Sequence, residues 1–219
     1  MEKFKRIVVS SDASGAFQAA REGLLVMIVD VIDMSTTLES ALDAGALAVL
    51  GCSPDFTRAP VLVNPEQIGQ KAARLSRDRE TGIILVAEPR AGTEVERMSR
   101  CQKVLKGIEK EKGLVEAILP NIGAETPRMA DMKNRVVVAV TDTGGVAFDA
   151  AYTVSDRVIT GTIARTLAQK GIEPALSAVK RAQQMIREGD PGIAIIAASR
   201  NSMEDMLAAQ FIANLISTM

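Results

Sequence analysis

Short apolar runs alternate with stretches of helical spacing along the whole of this sequence, and that alternation constrains its fold more than any other feature. "RIVVSS" (6–11), "LLVMIVDV" (24–31), "ALAVLG" (46–51), "GIILVAE" (82–88), "RVVVAV" (135–140), "RVITG" (157–161) and "GIAIIAAS" (192–199) read as strands. Between them the spacing predicts helices over 14–23, 36–45, 94–113, 144–152, 162–171, 174–189 and 202–217. Another begins at Asn64-Pro65-Glu66, which combines an N-cap residue, proline at the first position and an early acid. Only 114–134 resists, with Pro120, Gly123 and Pro127 breaking any regular pattern. Strands separated by helices imply βαβ units, so the expected fold is α/β, a three-layer α/β/α arrangement with a mostly parallel sheet. The core has to be built from small and aliphatic side chains, because aromatics are scarce while 47% of the 219 residues are apolar. That composition suits buried parallel strands covered by Ala-rich helices.

The chain reads as a single α/β unit over 1–219 with a weak internal echo. "VMIVDVIDMSTTLESALDAGALAVLG" resembles "RVVVAVTDTGGVAFDAAYTVSDRVITG" when one gap is allowed, matching Asp33 with Asp142 and Gly51 with Gly161. Two similar, intertwined halves, 1–118 and 119–219, would explain it; so would generic βαβ grammar.

Net charge is −1 and the Lys and Arg residues are scattered, so the basic footprint of a nucleic-acid-binding protein is missing. The longest apolar stretches are too short to span a bilayer, and "MEKFKRIVVSSD" has no secretory pattern. Cys52 and Cys101 make no disulfide framework. The expectation is a cytoplasmic protein with no membrane and no nucleic-acid partner. There is no histidine, which removes His-based triads and His-ligated zinc. Any chemistry falls to carboxylates, hydroxyls, Arg and Lys, and a hard oxygen-loving cation.

In doubly wound sheets, ligands bind beyond the carboxyl ends of the strands. The polar residues that follow the apolar runs include Asp30, Asp33 and Ser35-Thr36-Thr37; Glu88 and Arg90; Asp142-Thr143-Gly144-Gly145; and Ser199 to Ser202 with Arg200. Thr36 and Glu39 fit a capping box, but a cap needs one hydroxyl and this turn has three. Asp30 lies within an apolar run, so its carboxylate must be paired, protonated, metal-bound or at the true strand end. Asp30-Val31-Ile32-Asp33 is one residue too long for the Asp-x-Asp of haloacid-dehalogenase-type phosphatases. Gly144-Gly145 at a helix start could admit a phosphate to backbone N–H groups, or could simply be a turn.

Two stretches together carry a resemblance. Asp30-Val31-Ile32-Asp33-Met34-Ser35-Thr36-Thr37 resembles the signature turn of the 2-phosphosulfolactate phosphatase family, and "NSMEDMLAAQFIANLI" resembles that family's closing helix. "VVVAVTDTGG", "VITGTIARTLAQ" and Glu88 fall at corresponding places, while residues 89–134 are unmatched. The resemblance implies two similar α/β/α halves, Mg²⁺ as cofactor, and hydrolysis of a small anionic phosphorylated (sulfo)carboxylic acid. By position it makes Asp30, Glu88 and Asp142 metal ligands. Ser35, Thr36, Thr37, Thr143, Gly144, Gly145 and Arg200 would hold substrate, and Asp30, Asp33 and Arg90 would be catalytic. One departure stands out: the family's signature arginine is Asp33 here, so Arg90 or Arg200 would have to supply the guanidinium. A homodimer is expected. The alternative is a divergent, non-catalytic member that binds a small anion or serves as an oligomeric scaffold.

Overall fold

The computed structural model describes residues 4–218. It is an α/β protein with two four-stranded sheets, every strand pair parallel. The first sheet has the order β1 (Ile7–Ser11), β8 (Ile193–Ala197), β2 (Leu25–Val29), β7 (Val158–Gly161). The second has the order β3 (Ala48–Cys52), β6 (Val136–Val140), β4 (Ile83–Ala87), β5 (Val115–Pro120). The strands β2, β4, β6 and β8 are buried at every residue, which is why they read as unbroken apolar runs rather than as alternating ones.

A central layer of helices, α1 (Asp12–Arg21), α2 (Met34–Asp43) and α6 (Gly144–Tyr152), lies between the sheets. α2 touches β3 and β6 on one side and β7 on the other, and α6 touches β3 as well as β2 and β7. Outside the second sheet are α3 (Pro65–Arg77) and α5 (Gln102–Lys110), with α4 (Glu94–Ser99) near β5; outside the first are α7 (Glu173–Met185) and α8 (Met203–Thr218). Each sheet therefore sits in an α/β/α sandwich, and the two sandwiches share their middle layer. The chain crosses between sheets along α2 and again along α6. Exchanging β2 with β6, β3 with β7, β4 with β8 and β5 with β1 converts one strand order into the other. The small side chains of Ala16, Ala41, Ala147 and Ala151 let the shared helices lie close to two sheets at once, and all four are fully buried.

Several expected boundaries moved for local reasons. Residues 162–171 form no helix, because Thr162 Oγ1 accepts from Ala164 N (3.2 Å) and the Asp43 carboxylate takes Thr166 Oγ1, Ala168 N (3.0 Å) and Gln169 Nε2 (2.7 Å). The expected helix over 94–113 breaks at Arg100-Cys101 into α4 and α5. The unreadable stretch resolves into β5 and a 3₁₀ turn, Gly123–Arg128. Thr36 and Glu39 form no capping box. α2 starts earlier, at Met34, and Glu39 turns inward to accept from Arg181 and Thr160. The Asn64 cap is present, accepting from Gln67 N at 3.2 Å, and Ser202 Oγ accepts from Asp205 N at 3.2 Å at the head of α8. Among the described residues no helix is long and apolar enough to cross a membrane.

Candidate functional site

Parallel strands carry their following loops to one edge, so the carboxyl ends of both sheets open toward the same clefts. Asp30 is the first residue past β2. It stands at the true strand end and is only 2% exposed. Its Oδ1 accepts from Asp33 N (3.0 Å); its Oδ2 accepts from Gly144 N (2.9 Å) and from Thr143 Oγ1 (3.1 Å). One carboxylate thus joins the end of the first sheet to the N-terminus of α6, which follows a strand of the second. Burial, then the neighbouring charges of Asp205 and Asp33, push its pKa up to about 6.

The glycine pair has a structural explanation in this contact. A Cβ at Gly144 would collide with the Asp30 carboxylate, and one at Gly145 with the backbone carbonyl oxygen of Cys52. The N–H of Gly145 donates to Thr141 Oγ1 at 2.8 Å. The expected phosphate cradle at Thr143, Gly144 and Gly145 is therefore already filled from within, by Asp30 and Thr141. The expected hydroxyl cradle is likewise turned inward. Ser35 Oγ donates to Ile28 O (2.9 Å) and accepts from Asp30 N (3.0 Å); Thr36 Oγ1 donates to Val31 O (2.6 Å); Thr37 Oγ1 donates to Asn121 Oδ1 (2.5 Å). These side chains are buried because α2 runs between two sheets, and a buried hydroxyl must find a protein acceptor. Ser35, Thr36 and Thr37 lock the turn rather than face a ligand.

The remaining acids follow β4 and β6. Glu88, the first residue past β4, is half-buried, with the Asp142 carboxyl within hydrogen-bonding reach and Asp33 close enough to repel it. Burial first, then Asp33 and Asp142, raises its pKa to about 7. Two guanidinium groups are held by the neighbouring acids: Arg90 donates to Asp33 Oδ1 and to Ile32 O (3.2 Å), and Arg100 donates to Asp142 Oδ1. Arg100 was not among the expected site residues, because the apolar spacing of Val95, Met98, Cys101, Val104 and Ile108 runs unbroken past it. Asp205, also unmarked, accepts from Val31 N at 2.8 Å and borders the Asp30 cleft of about 330 Å³. Arg200 lies apart, its Nε donating to Asp12 Oδ2, and Asp12 lines a second cleft of about 370 Å³.

The expected trio of metal ligands does not converge. Among the described residues no three His, Cys, Asp or Glu side chains are arranged to hold a metal ion, and the Asp30 oxygens already serve three protein donors. The pair Glu88 and Asp142 does fit a hard cation. Neighbouring carboxylates offer oxygen donors, and Mg²⁺ commonly takes one or two carboxylates and completes its shell with water and phosphate oxygens.

No protein-family model matches this chain, and no curated protein matches its sequence.

Proposed function

We propose that the chain is a Mg²⁺-dependent phosphatase-like hydrolase acting on a small phosphorylated acid, the reaction implied by the resemblance. The observation that carries the reading is the gathering of acids and arginines past the strand ends, Asp33 paired with Arg90 and Asp142 paired with Arg100, with Glu88 near both acids. Glu88 and Asp142 would hold the cation, which when bound neutralises phosphoryl oxygens and favours attack by water. The ester P–O bond breaks, water supplies the new oxygen on phosphorus, and the alcohol leaves with a proton. With the cation bound, the Glu88 carboxylate is ionised and serves as a ligand, and the proton passes from the attacking water to the leaving alcohol oxygen through solvent.

Arg90 bears on the departure noted at Asp33. The family's cation is missing from the turn itself, but the Asp33 carboxylate draws the Arg90 guanidinium to the same place from the loop after β4. Arg90 and Arg100 are thus held at the cleft by the acids they neutralise, and an arriving phosphate competes with those acids for the same donors. In this reading Asp33 positions Arg90, and Asp30 is a positioning residue that fixes Thr143 and Asp142 against β2.

The test is phosphate release from a panel of small phosphomonoesters, with and without Mg²⁺, by the native chain and by Glu88→Gln. Metal-dependent release that falls by on the order of a hundredfold or more in the variant supports the reading. No release from the native chain across the panel refutes it, and retained anion binding without turnover would favour the non-catalytic alternative. The expected homodimer has a candidate face in Met203, Leu207 and Phe211, exposed one turn apart on α8, where no charged side chain occurs from Met206 to Thr218.

A further inference from the structure

The connection between β3 and α3 contains Phe56, Thr57 and Arg58, whose binding capacity is unused among the described residues. Phe56 is 82% exposed. The Thr57 Oγ1 atom is buried without a hydrogen-bond partner among the described residues. Arg58 has no carboxylate partner among the described residues, whereas Arg90, Arg100 and Arg200 each have one. All three line the 370 Å³ cleft, whose opposite wall includes Thr143 and Ser199. Phe56 and Thr57 also line an adjoining pocket of about 240 Å³ that contains Arg100 and Asp142.

This loop is firmly held. The Asp149 carboxylate of α6 closes its neck, accepting from Ser53 Oγ and Ser53 N (3.3 Å) on the way in and from Asn64 N (2.8 Å) on the way out. Asp55 accepts from Gln102 N (2.7 Å) and Lys103 N (2.8 Å), capping α5, whose own preceding residue, Cys101, provides no side-chain cap. An exposed aromatic ring on an anchored loop at a cleft mouth carries a small ordering cost when it stacks on a ligand. Ala13, Ala59, Pro60 and Val146 give the cleft an apolar wall that a two- or three-carbon phosphate would leave uncovered.

We infer that Phe56-Thr57-Arg58 is a recognition element for a phosphorylated ligand of mononucleotide size that bears a planar ring. The ring stacks on Phe56 with the Arg58 guanidinium beside it. The phosphate end lies toward Arg100 and Asp142 in the adjoining pocket, so the inference rests on the reading above for the direction of the ligand.

The test uses two probes that differ only by a ring, adenosine monophosphate and ribose 5-phosphate, titrated calorimetrically into the full chain, Phe56→Ala, Arg58→Gln and Glu88→Gln. The nucleotide is expected to bind the native chain on the order of tenfold more tightly than the sugar phosphate. Phe56→Ala should erase that difference while leaving ribose 5-phosphate affinity unchanged, and Arg58→Gln should reduce it. Equal affinities in the native chain, binding of neither probe, or a ring preference that survives Phe56→Ala would each overturn the inference. So would a change of mass in solution on Phe56→Ala, which would make the ring part of a subunit contact. A ring preference kept by Glu88→Gln in a protein that hydrolyses nothing would sink the phosphatase reading alone. Hydrolysis without ring preference would sink only this inference.

Discussion

Asp30→Asn sets two effects against each other at one buried carboxylate. The N–H of Gly144 and the start of α6 favour a negative charge, whereas burial and the acids Asp205 and Asp33 oppose it. With opposition prevailing, the folded-state pKa is about 6 against an ordinary value of 3.8. A pKa raised by folding contributes stability that is full below pH 3.8 and is lost as pH climbs through 6. The shift of roughly two units corresponds to about 3 kcal/mol over the whole window, of which about 1.4 kcal/mol is lost between pH 5 and pH 7.5. Asparagine is nearly isosteric and cannot ionise. Its oxygen can keep Gly144 N and Thr143 Oγ1, leaving its amide facing Asp33 N at a cost of about 1–2 kcal/mol. The expected result in urea unfolding is that the stability advantage of the native chain over Asp30→Asn shrinks by about 1.4 kcal/mol from pH 5 to pH 7.5. A difference that is flat, or that grows with pH, would mean Asp30 is ionised in the fold and that the helix N-terminus outweighs burial.

Two further substitutions probe the shared middle layer. Gly145→Ala should destabilise by about 2–3 kcal/mol in denaturant unfolding, because its methyl meets the Cys52 backbone carbonyl and α6 must back away from β3; a cost under about 0.5 kcal/mol would contradict that close approach. Arg181→Met removes both donors to Glu39, which is 4% exposed and keeps only Thr160 Oγ1. The expected loss is about 3 kcal/mol at pH 8 and less at pH 5, since burial already raises the Glu39 pKa to about 7 and protonation removes the stranded charge. Equal losses at the two pH values would show that Glu39 never carries that charge in the fold.

The α/β class was legible because β2, β4, β6 and β8 are buried on both faces, and burial on both faces writes itself into sequence as runs such as "LVMIV" and "VVVAV". Local chemistry also sufficed at Asn64, whose cap reaches three residues along the chain. It failed at 162–171, where helical spacing was overruled by the distant carboxylate of Asp43. The acids of the cleft were legible as polar residues following apolar runs, which the parallel topology carries to one edge. Their partners were not: Arg100 meets Asp142 from 42 positions away, and Asp205 meets Val31 from 174 away.

The sequence by itself determined which residues form buried parallel strands and that carboxylates and arginines collect at their ends, because both depend on short-range pattern. Only the tertiary structure decided that one layer of helices serves two sheets, since strand order depends on long-range packing. The same packing decided the meaning of "DMSTT" and "TDTGG". With α2 and α6 pressed between the sheets, the hydroxyls of Ser35, Thr36, Thr37 and Thr141 and the amides of Gly144 and Gly145 face protein rather than solvent. Asp142 and Arg100 are left to line a pocket at the strand ends.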